Sequence, residues 1–513
     1  MSGFSNPIIG GGGTLVYPAI KSPNFVAGVS GWSIDKDGNA YFNELEALGT
    51  IISIEELDAG QWFKLELAEG GVTWYYGSSE DGPWTTLGGL AAGLLSFPDG
   101  YGPLLDLNMA LQVGNEFWLP PSGDTSGATD AANIAAAYAL GCLHVHLLPG
   151  TFYVDAAINM DTDYQTIEGS PYGFGSVIES VATSDQTGII VLGSTADGVS
   201  QPRVANLALK GNAYAGHGIV SRAENPCIEN VFVQDITGDG LHFSWDGLAT
   251  TYLDSANVSN VTVENVTGRG CYIDTYLTES EFYALRLSGP TEAPDFGGTY
   301  GIENSGHAIK FVNCHPFGFA DGGYYGNADT HTQITGGSYE SNGGPHIAFD
   351  GSTGCKATGF TTYFSTTFTG TVPDMDVHVY GQSSWIEISA CTVAGGSSNA
   401  GVELNDVSQV TLAGVQVKPS PFNSDLPAHA IENDAGSGSS YLTVDHCTVQ
   451  GPGTGASTIA IGGATHSIVN ACIVTTADDI IEGTGGDYNI FTSNIAAAVS
   501  TVGTHTVAAN NVT

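Results

Sequence analysis

The sequence predicts an all-β solenoid, a parallel β-helix, over most of its 513 residues. Three observations lead there. The 71 glycines are about twice the usual share, only 12% of residues are charged, and 42% are hydrophobic, a mix that suits a large core crossed by many tight turns. From about residue 202 onward a phrase Gly-x-Gly-apolar recurs: "GHGIVSR" (216–222), "GDGLHFS" (238–244) and "GRGCYID" (268–274), then more loosely "TYGIENS" (299–305), "NAGVELN" (399–405) and "AHAIEND" (428–434). Between these sits a second short apolar phrase, as in "VANLALKG" (204–211), "IENVFVQD" (228–235), "VSNVTVEN" (258–265) and "VSQVTLAG" (407–414). The period is roughly 22 to 31 residues, and one such unit cannot bury its own apolar face, so neighbouring units must stack. Parallel strands usually need helical crossovers. No helical periodicity follows residue 140, so turn-linked coils are expected instead.

The elements follow in order. In residues 1–50, Trp32 and Ile34 alternate, Asp37-Gly38 turns, and Tyr41-Phe42 returns, the pattern of a hairpin. Residues 51–119 form a second small β domain, with turns expected at Gly70-Gly71 and Asp81-Gly82. Its Trp62, Trp74, Tyr75, Tyr76 and Trp84 suit either a core or a sugar-stacking surface. Residues 120–513 are the solenoid. Its opening loop, residues 122–130, has the glycines of a phosphate cradle but no Gly-Lys-Ser/Thr, so it binds no nucleotide in that manner. Thr129 is placed to cap a helix of about 130–140 that begins at Asp130, with Ile134, Tyr138 and alanines on one face covering the first coil.

Two segments carry a resemblance. "GDTSGATDAANIAAAYALGCLHVHLLPGTFYV" resembles the opening of pectate-lyase-like right-handed parallel β-helix proteins, which include polygalacturonases and many phage tail spikes. "SPNFVAGVSGWSIDKDGNAYFNELEALGT" (22–50) is similar to the head segment of tail proteins of tailed phages. The resemblance implies a phage tail spike or minor tail protein. It implies attachment to other tail proteins through the N-terminal segment, a homotrimer, and host-surface polysaccharide as ligand. It implies location in the virion tail after synthesis in the host cytoplasm.

Charge narrows the partners. With 53 Asp and Glu against 11 Lys and Arg, the net charge of −42 repels nucleic acid and anionic membranes. "MSGFSNPIIGGGG" lacks the basic start and apolar core of a signal peptide, and no run of 18 apolar residues suits a membrane span. The eight cysteines include no C-x-x-C pair. Cys314, Cys391, Cys447 and Cys472 share one position of the second phrase and are expected to stack as small buried residues. Three glycosylation sequons, at Asn257, Asn260 and Asn265, are read as strand and turn chemistry.

Counting from each Gly-x-Gly, alternate residues face in and out. Ile219, Leu241, Phe243, Cys271, Ile273 and Ile302 fall inward. Val220, Arg222, His242, Ser244, Tyr272, Asp274, Glu303 and Ser305 fall outward. With coils about 4.8 Å apart, His242, Tyr272 and Glu303 form one ladder, and Arg222 and Asp274 lie in the next. Carboxylates one or two coils apart suit glycoside hydrolysis. Asp274 and Glu303 are the candidate catalytic pair, with Asp239 as a spare and His242 as a proton carrier. Arg222, Arg269, Tyr272 and Tyr300 are candidates for holding sugar. Seven of the eleven basic residues lie between Arg203 and Lys356, which favours a site there. The same outward residues suit a merely solvated face.

The polygalacturonase signature is incomplete. Gly216-His217-Gly218 is present, but Asn-Thr-Asp and Arg-Ile-Lys are absent and Asp478-Asp479 lies coils away. A lyase would need an arginine base and calcium held by aspartates, for which Arg222 or Arg269 beside Asp239 and Asp274 are the candidates. No other metal or cofactor is implied. Adhesion with cleavage, adhesion alone, and a free polysaccharide hydrolase all stay open.

Overall fold

The computed structural model describes residues 115–513 apart from short stretches at 171–174, 194–198, 246–252, 291–297, 365–372, 395–398, 419–428, 435–437, 451–457 and 476–478. Of residues 1–114 it describes the backbone of nine strands. The chain divides into two units, Met1–Leu107 and Asn108–Thr513.

In the first unit, Trp32–Asp35 pairs antiparallel with Ala40–Phe42 and with Ala19–Lys21. Ser33 lies opposite Tyr41, and the Asp37-Gly38 turn lies outside the described residues. Ile51–Asp58, Gln61–Ala68, Gly71–Gly77, Trp84–Ala91 and Leu94–Ser96 form a separate antiparallel meander. The side chains of its aromatic residues, and the Asp81-Gly82 turn, lie outside the described residues. Leu111–Val113 and Glu116–Leu119, expected in this domain, instead pair into the first coil of the second unit, Glu116–Leu119 running parallel to His144–Leu147.

The second unit is a parallel β-helix. The Gly-x-Gly phrases lie in one sheet of 14 parallel strands, from Ile158–Met160 to Ala498–Ser500. The second phrase supplies two further columns of strands. They merge where Arg203–Lys210 and Cys227–Ile236 run through both. At the corner between those columns, Asn206, Asn230, Asn260 and Asn313 adopt φ of 52–55°. Asparagine tolerates this left-handed turn better than most residues. Asn260 and Asn265, both within sequons, are left-handed turn residues of this kind.

The core follows from register. Val204, Ile228, Val258, Phe282, Phe311, Ile334 and Ala357 pair coil to coil in one column, each at most 1% exposed. Cys314, Cys391, Cys447 and Cys472 are buried free thiols. Their carbonyls accept hydrogen bonds from Ser338, Gln416, Ile473 and Ile495, which places all four at one corner position.

The single helix among the described residues spans Ala128–Ala139 and packs Ile134 and Ala137 onto the first coil. It starts two residues before the expected Asp130. Thr129 does not cap it: its hydroxyl donates to Asp124 Oδ2 at 2.7 Å, back into the opening loop. Gly127, at φ 90°, is the residue before the helix. A Cβ there would meet the Asp155 backbone nitrogen at 2.5 Å, so only glycine fits. Asp130, buried in the first turn, accepts from the backbone nitrogens of Ser122 at 2.8 Å and Tyr153 at 2.9 Å. The acidic residue thus pins the loop and the first coil together.

Candidate active site on the Gly-x-Gly sheet

The register places Val220, His242, Tyr272, Glu303 and Tyr325 in one outward row of successive coils. A second row lies beside it, made by the x of each Gly-x-Gly. The backbone nitrogens of Gly218, Gly240 and Gly270 donate to the carbonyls of Asp239, Arg269 and Tyr300, which aligns His217, Asp239, Arg269 and Tyr300. The glycines are needed here. A Cβ at Gly240 would sit 2.3 Å from a Val263 methyl carbon and 2.8 Å from the Gly270 carbonyl oxygen.

Asp239 is the hub. It is 2% exposed. Its Oδ2 lies 2.6 Å from His242 Nδ1 and 3.5 Å from His217 Nδ1. Arg269 donates to it three times: Nε to Oδ1 at 2.9 Å, a terminal nitrogen to Oδ2 at 3.0 Å, and the backbone nitrogen to Oδ1 at 2.8 Å. Burial pushes the Asp239 carboxyl up, but the bonds from His242 and Arg269 outweigh it and hold the group at about 2. Arg269 also donates to Glu303 Oε2 at 2.9 Å, and its guanidinium carbon stands 3.7 Å above the centre of the Tyr272 ring. Burial opposes the charge on Arg269, yet Asp239 and Glu303 together raise its pKa.

The hydrogen bonds fix tautomers. His217 Nδ1 accepts from the Asp239 backbone nitrogen at 2.9 Å, so the neutral ring carries its proton on Nε2. His242 Nδ1 faces an ionised carboxylate, so the neutral ring carries its proton on Nδ1 and leaves Nε2 as the base. The rings of His217 and His242 lie 4.1 Å apart, and those of His242 and Tyr272 4.9 Å apart. His242 and Glu303 keep side-chain exposures of 13% and 16%, enough to meet a ligand.

Other sequence-predicted residues lie elsewhere. Asp274 does not share a partner with Glu303: it accepts from the backbone nitrogen and hydroxyl of its neighbour Thr275, at 2.5 and 3.0 Å. The two carboxylates bridged by one cation are Asp239 and Glu303. Arg222 is only 6% exposed, and Val220 and Ser244 are also buried. On these coils, pointing outward does not mean facing solvent. Tyr300 lies two coils beyond Asp239 and stacks on Tyr325 at 4.5 Å, and burial lifts its phenol to about 12. His217 was legible only as a turn motif. The variable x of the repeated phrase is the signal that groups it with Asp239 and Arg269.

His217, Asp239 and His242 offer ligand atoms within 4.8 Å of one another, the spacing of a cation site. Two imidazoles and one carboxylate do not match the six to eight oxygens that calcium takes. Both Asp239 oxygens already accept from the Arg269 guanidinium, which repels a cation. The donor set does not fit calcium.

The outward row continues past the hub. Tyr325 is followed by Ala348, His378, Glu403 and Glu432. Tyr325 donates to Asp350 Oδ2 at 2.9 Å, and His378 stacks on Tyr380 at 4.0 Å. Burial lowers His378 to about 4, and burial followed by Glu432 raises Glu403.

No protein-family model and no curated protein matches this chain. Among solved structures it is similar to the A-module of mannuronan C-5 epimerase AlgE6 from Azotobacter vinelandii, at 18% identity and a TM-score of 0.44, over 76% of this chain and 97% of that one. It is similar to the pre-mature gene product 12 of bacteriophage phi29, at 13% identity and 0.45, over 76% and 55%. A third likeness is to DFA-IIIase from Arthrobacter chlorophenolicus A6, at 12% identity and 0.36, over 74% and 94%. The parallel β-helix is established by the register above, and these distant likenesses carry no chemistry to this chain.

Proposed function

We propose that this protein is a phage tail protein that lays an uncharged host-surface polysaccharide along the outward face of the Gly-x-Gly sheet and hydrolyses it beside Asp239. One observation carries the reading: the 2.6 Å contact between His242 and a buried, ionised Asp239. That carboxylate fixes the orientation of the ring, so His242 is a positioned proton carrier. Glu303, on the same row, is the second carboxylate of the reaction. Arg269 holds both carboxylates in place, and Tyr272 offers an aromatic edge to a sugar. The tail assignment rests on the N-terminal phrase of residues 22–50 and its resemblance to phage tail heads.

Charge selects the substrate class. Arg269 is already met by two carboxylates, and the coils beyond it add Asp350 beside the row and Glu403 and Glu432 on it. A uronic-acid polymer would meet net negative charge along its whole length, whereas a neutral glycan meets hydrogen-bonding groups and rings. Five coil steps of about 4.8 Å separate His242 from His378, about 24 Å in all. That length suits an extended oligosaccharide.

A second reading, adhesion without cleavage, is favoured by the same ion pairs, because a guanidinium between two carboxylates also stabilises a fold with no reaction. Incubation of the protein with host envelope polysaccharide separates the two. New reducing ends that disappear in His242→Ala and Glu303→Gln, with binding retained in both, support hydrolysis. Binding with no new ends at high protein load leaves adhesion. Neither binding nor cleavage of any neutral host glycan overturns both.

A further inference from the structure

The outer surface changes character at a single coil. One outward row of the second-phrase strands reads Lys356, Glu387, Thr411 and Thr443, and then Ile468, Ile490 and Val507. The neighbouring row, around the corner, reads Thr361, Thr392, Gln416 and Thr448, and then Ile473, Ile495 and Val512. Both rows switch from polar to β-branched apolar between the same two coils. The six Ile and Val residues are 39–60% exposed. They are not needed inside, where Val469, Cys472, Val474 and Phe491 already fill the core.

A third column borders the first row. Tyr441, His466, Tyr488 and His505 stack ring on ring at 5.3, 5.1 and 4.4 Å, with Tyr441 and Tyr488 more than half exposed. Tyr441, His466 and Tyr488 hold φ of 55–56°, a region that bulky side chains rarely adopt. Contiguous exposed apolar surface of this kind marks an interaction site on a soluble protein.

Charge indicates the occupant. Residues 446–513 contain four acidic residues and no lysine or arginine, and residues 488–513 contain no charged residue at all. The whole chain carries −42. A basic partner would be drawn to the acidic remainder rather than to this strip. Two copies of the chain repel each other nearly everywhere, and the strip is where they meet without like charges opposed. A row of similar β-branched residues at coil spacing also offers the same apolar surface to each copy, so that it can serve in an isologous or a ring contact between identical subunits.

We propose that the strip formed by Ile468, Ile490, Val507, Ile473, Ile495 and Val512 is the face through which copies of this chain pack side by side. The inference is independent of any catalytic activity.

The test uses the full chain. Ile490 is in the middle coil of the strip, so copies packed in either direction bring this position near itself. Ile490→Cys treated with a short bismaleimide is expected to give covalent oligomers at least about tenfold faster than Lys356→Cys, which lies in the same row five coils away, because contact raises the effective concentration. The unsubstituted protein, whose cysteines are largely buried, sets the background. Adding Ile468→Thr, Ile473→Thr, Ile495→Thr and Val507→Thr to Ile490→Cys is expected to remove that advantage. Threonine stands at the same row positions in earlier coils, so folding is retained, with thermal melting as the check. Equal rates for Ile490→Cys and Lys356→Cys, or an undiminished rate in the five-site variant, would overturn the proposal, even if another part of the chain joins the copies.

Discussion

The coils at 217–303 and those at 468–512 share one interior and differ outside. Inside, Ile219, Leu241, Cys271 and Ile302 do for the first set what Val469, Phe491 and Val474 do for the second: each is buried and meets its equivalent one coil away. Outside, the first set carries His, Asp, Arg, Tyr and Glu, and the second carries Ile and Val. Backbone pairing between coils satisfies the peptide groups whatever faces outward. The outer face is therefore free to hold a polar constellation at one height and an apolar strip at another.

Breaking the shared interior should have the largest effect. Phe282 is fully buried, stacked on Phe311 at 5.2 Å and edge-on to Phe243 at 5.4 Å. Phe282→Ala is expected to cost about 3–5 kcal/mol in urea unfolding and to weaken both outer surfaces together, because neighbouring coils template one another. A loss under about 1 kcal/mol would mean that inner columns do not carry the stability.

The polar constellation should show a smaller and more local effect. Arg269→Ala leaves Asp239 buried beside two histidines without its cation, for an expected loss of about 2–3 kcal/mol. The variant should lose glycan cleavage as well. The apolar strip should be unaffected, with crosslinking through Ile490→Cys unchanged. If removing Arg269 abolished crosslinking, the two outer regions would not be separable.

Acidification probes the row between them. His378 titrates at about 4 in the fold against 6.5 when exposed, because burial disfavours its charge. The unfolded chain therefore binds more protons between those values. Stability from this group is present above about pH 6.5, is lost progressively down to about pH 4, and does not change further below it, a difference of at most about 2 kcal/mol after solvent screening. Asp239 behaves differently, with stability present above its ordinary value of 3.8 and lost as pH falls through about 2. Thermal melting from pH 7 to 4 should show the loss in the native chain and a flatter profile in His378→Gln.

Particular residues show what could be read in the sequence. His242, Tyr272 and Glu303 were placed in one row by counting two residues at a time from each glycine, and the register pairs them so. The sequence offers Asp239 only as a spare carboxylate; it precedes the strand Leu241–Phe243, where period-two counting does not set side-chain direction. Its hub position comes from Arg269, 30 residues later, folding back onto it. Arg222 was placed outward, which said nothing about what covers that face. The switch from threonine to isoleucine at Ile468 and Ile473 was printed in the repeats. It carries meaning only once those rows are known to face out.

The smallest expected effect sharpens the comparison most. Asp274 lies one row from His242, Tyr272 and Glu303, and sequence spacing made it half of the catalytic pair. Its oxygen is taken up by the backbone nitrogen and hydroxyl of Thr275, a local turn bond within reach of an asparagine side-chain oxygen. Asp274→Asn preserves that acceptor, leaves the Asp239–Arg269–Glu303 bridge untouched, and removes one negative charge from the surface. Cleavage of the neutral glycan should stay within about twofold of the native rate, whereas His242→Ala should lose at least about a hundredfold. If Asp274→Asn were as inactive as His242→Ala, the reacting pair would be Asp274 and Glu303, and the Asp239 hub would serve only to hold the coils together.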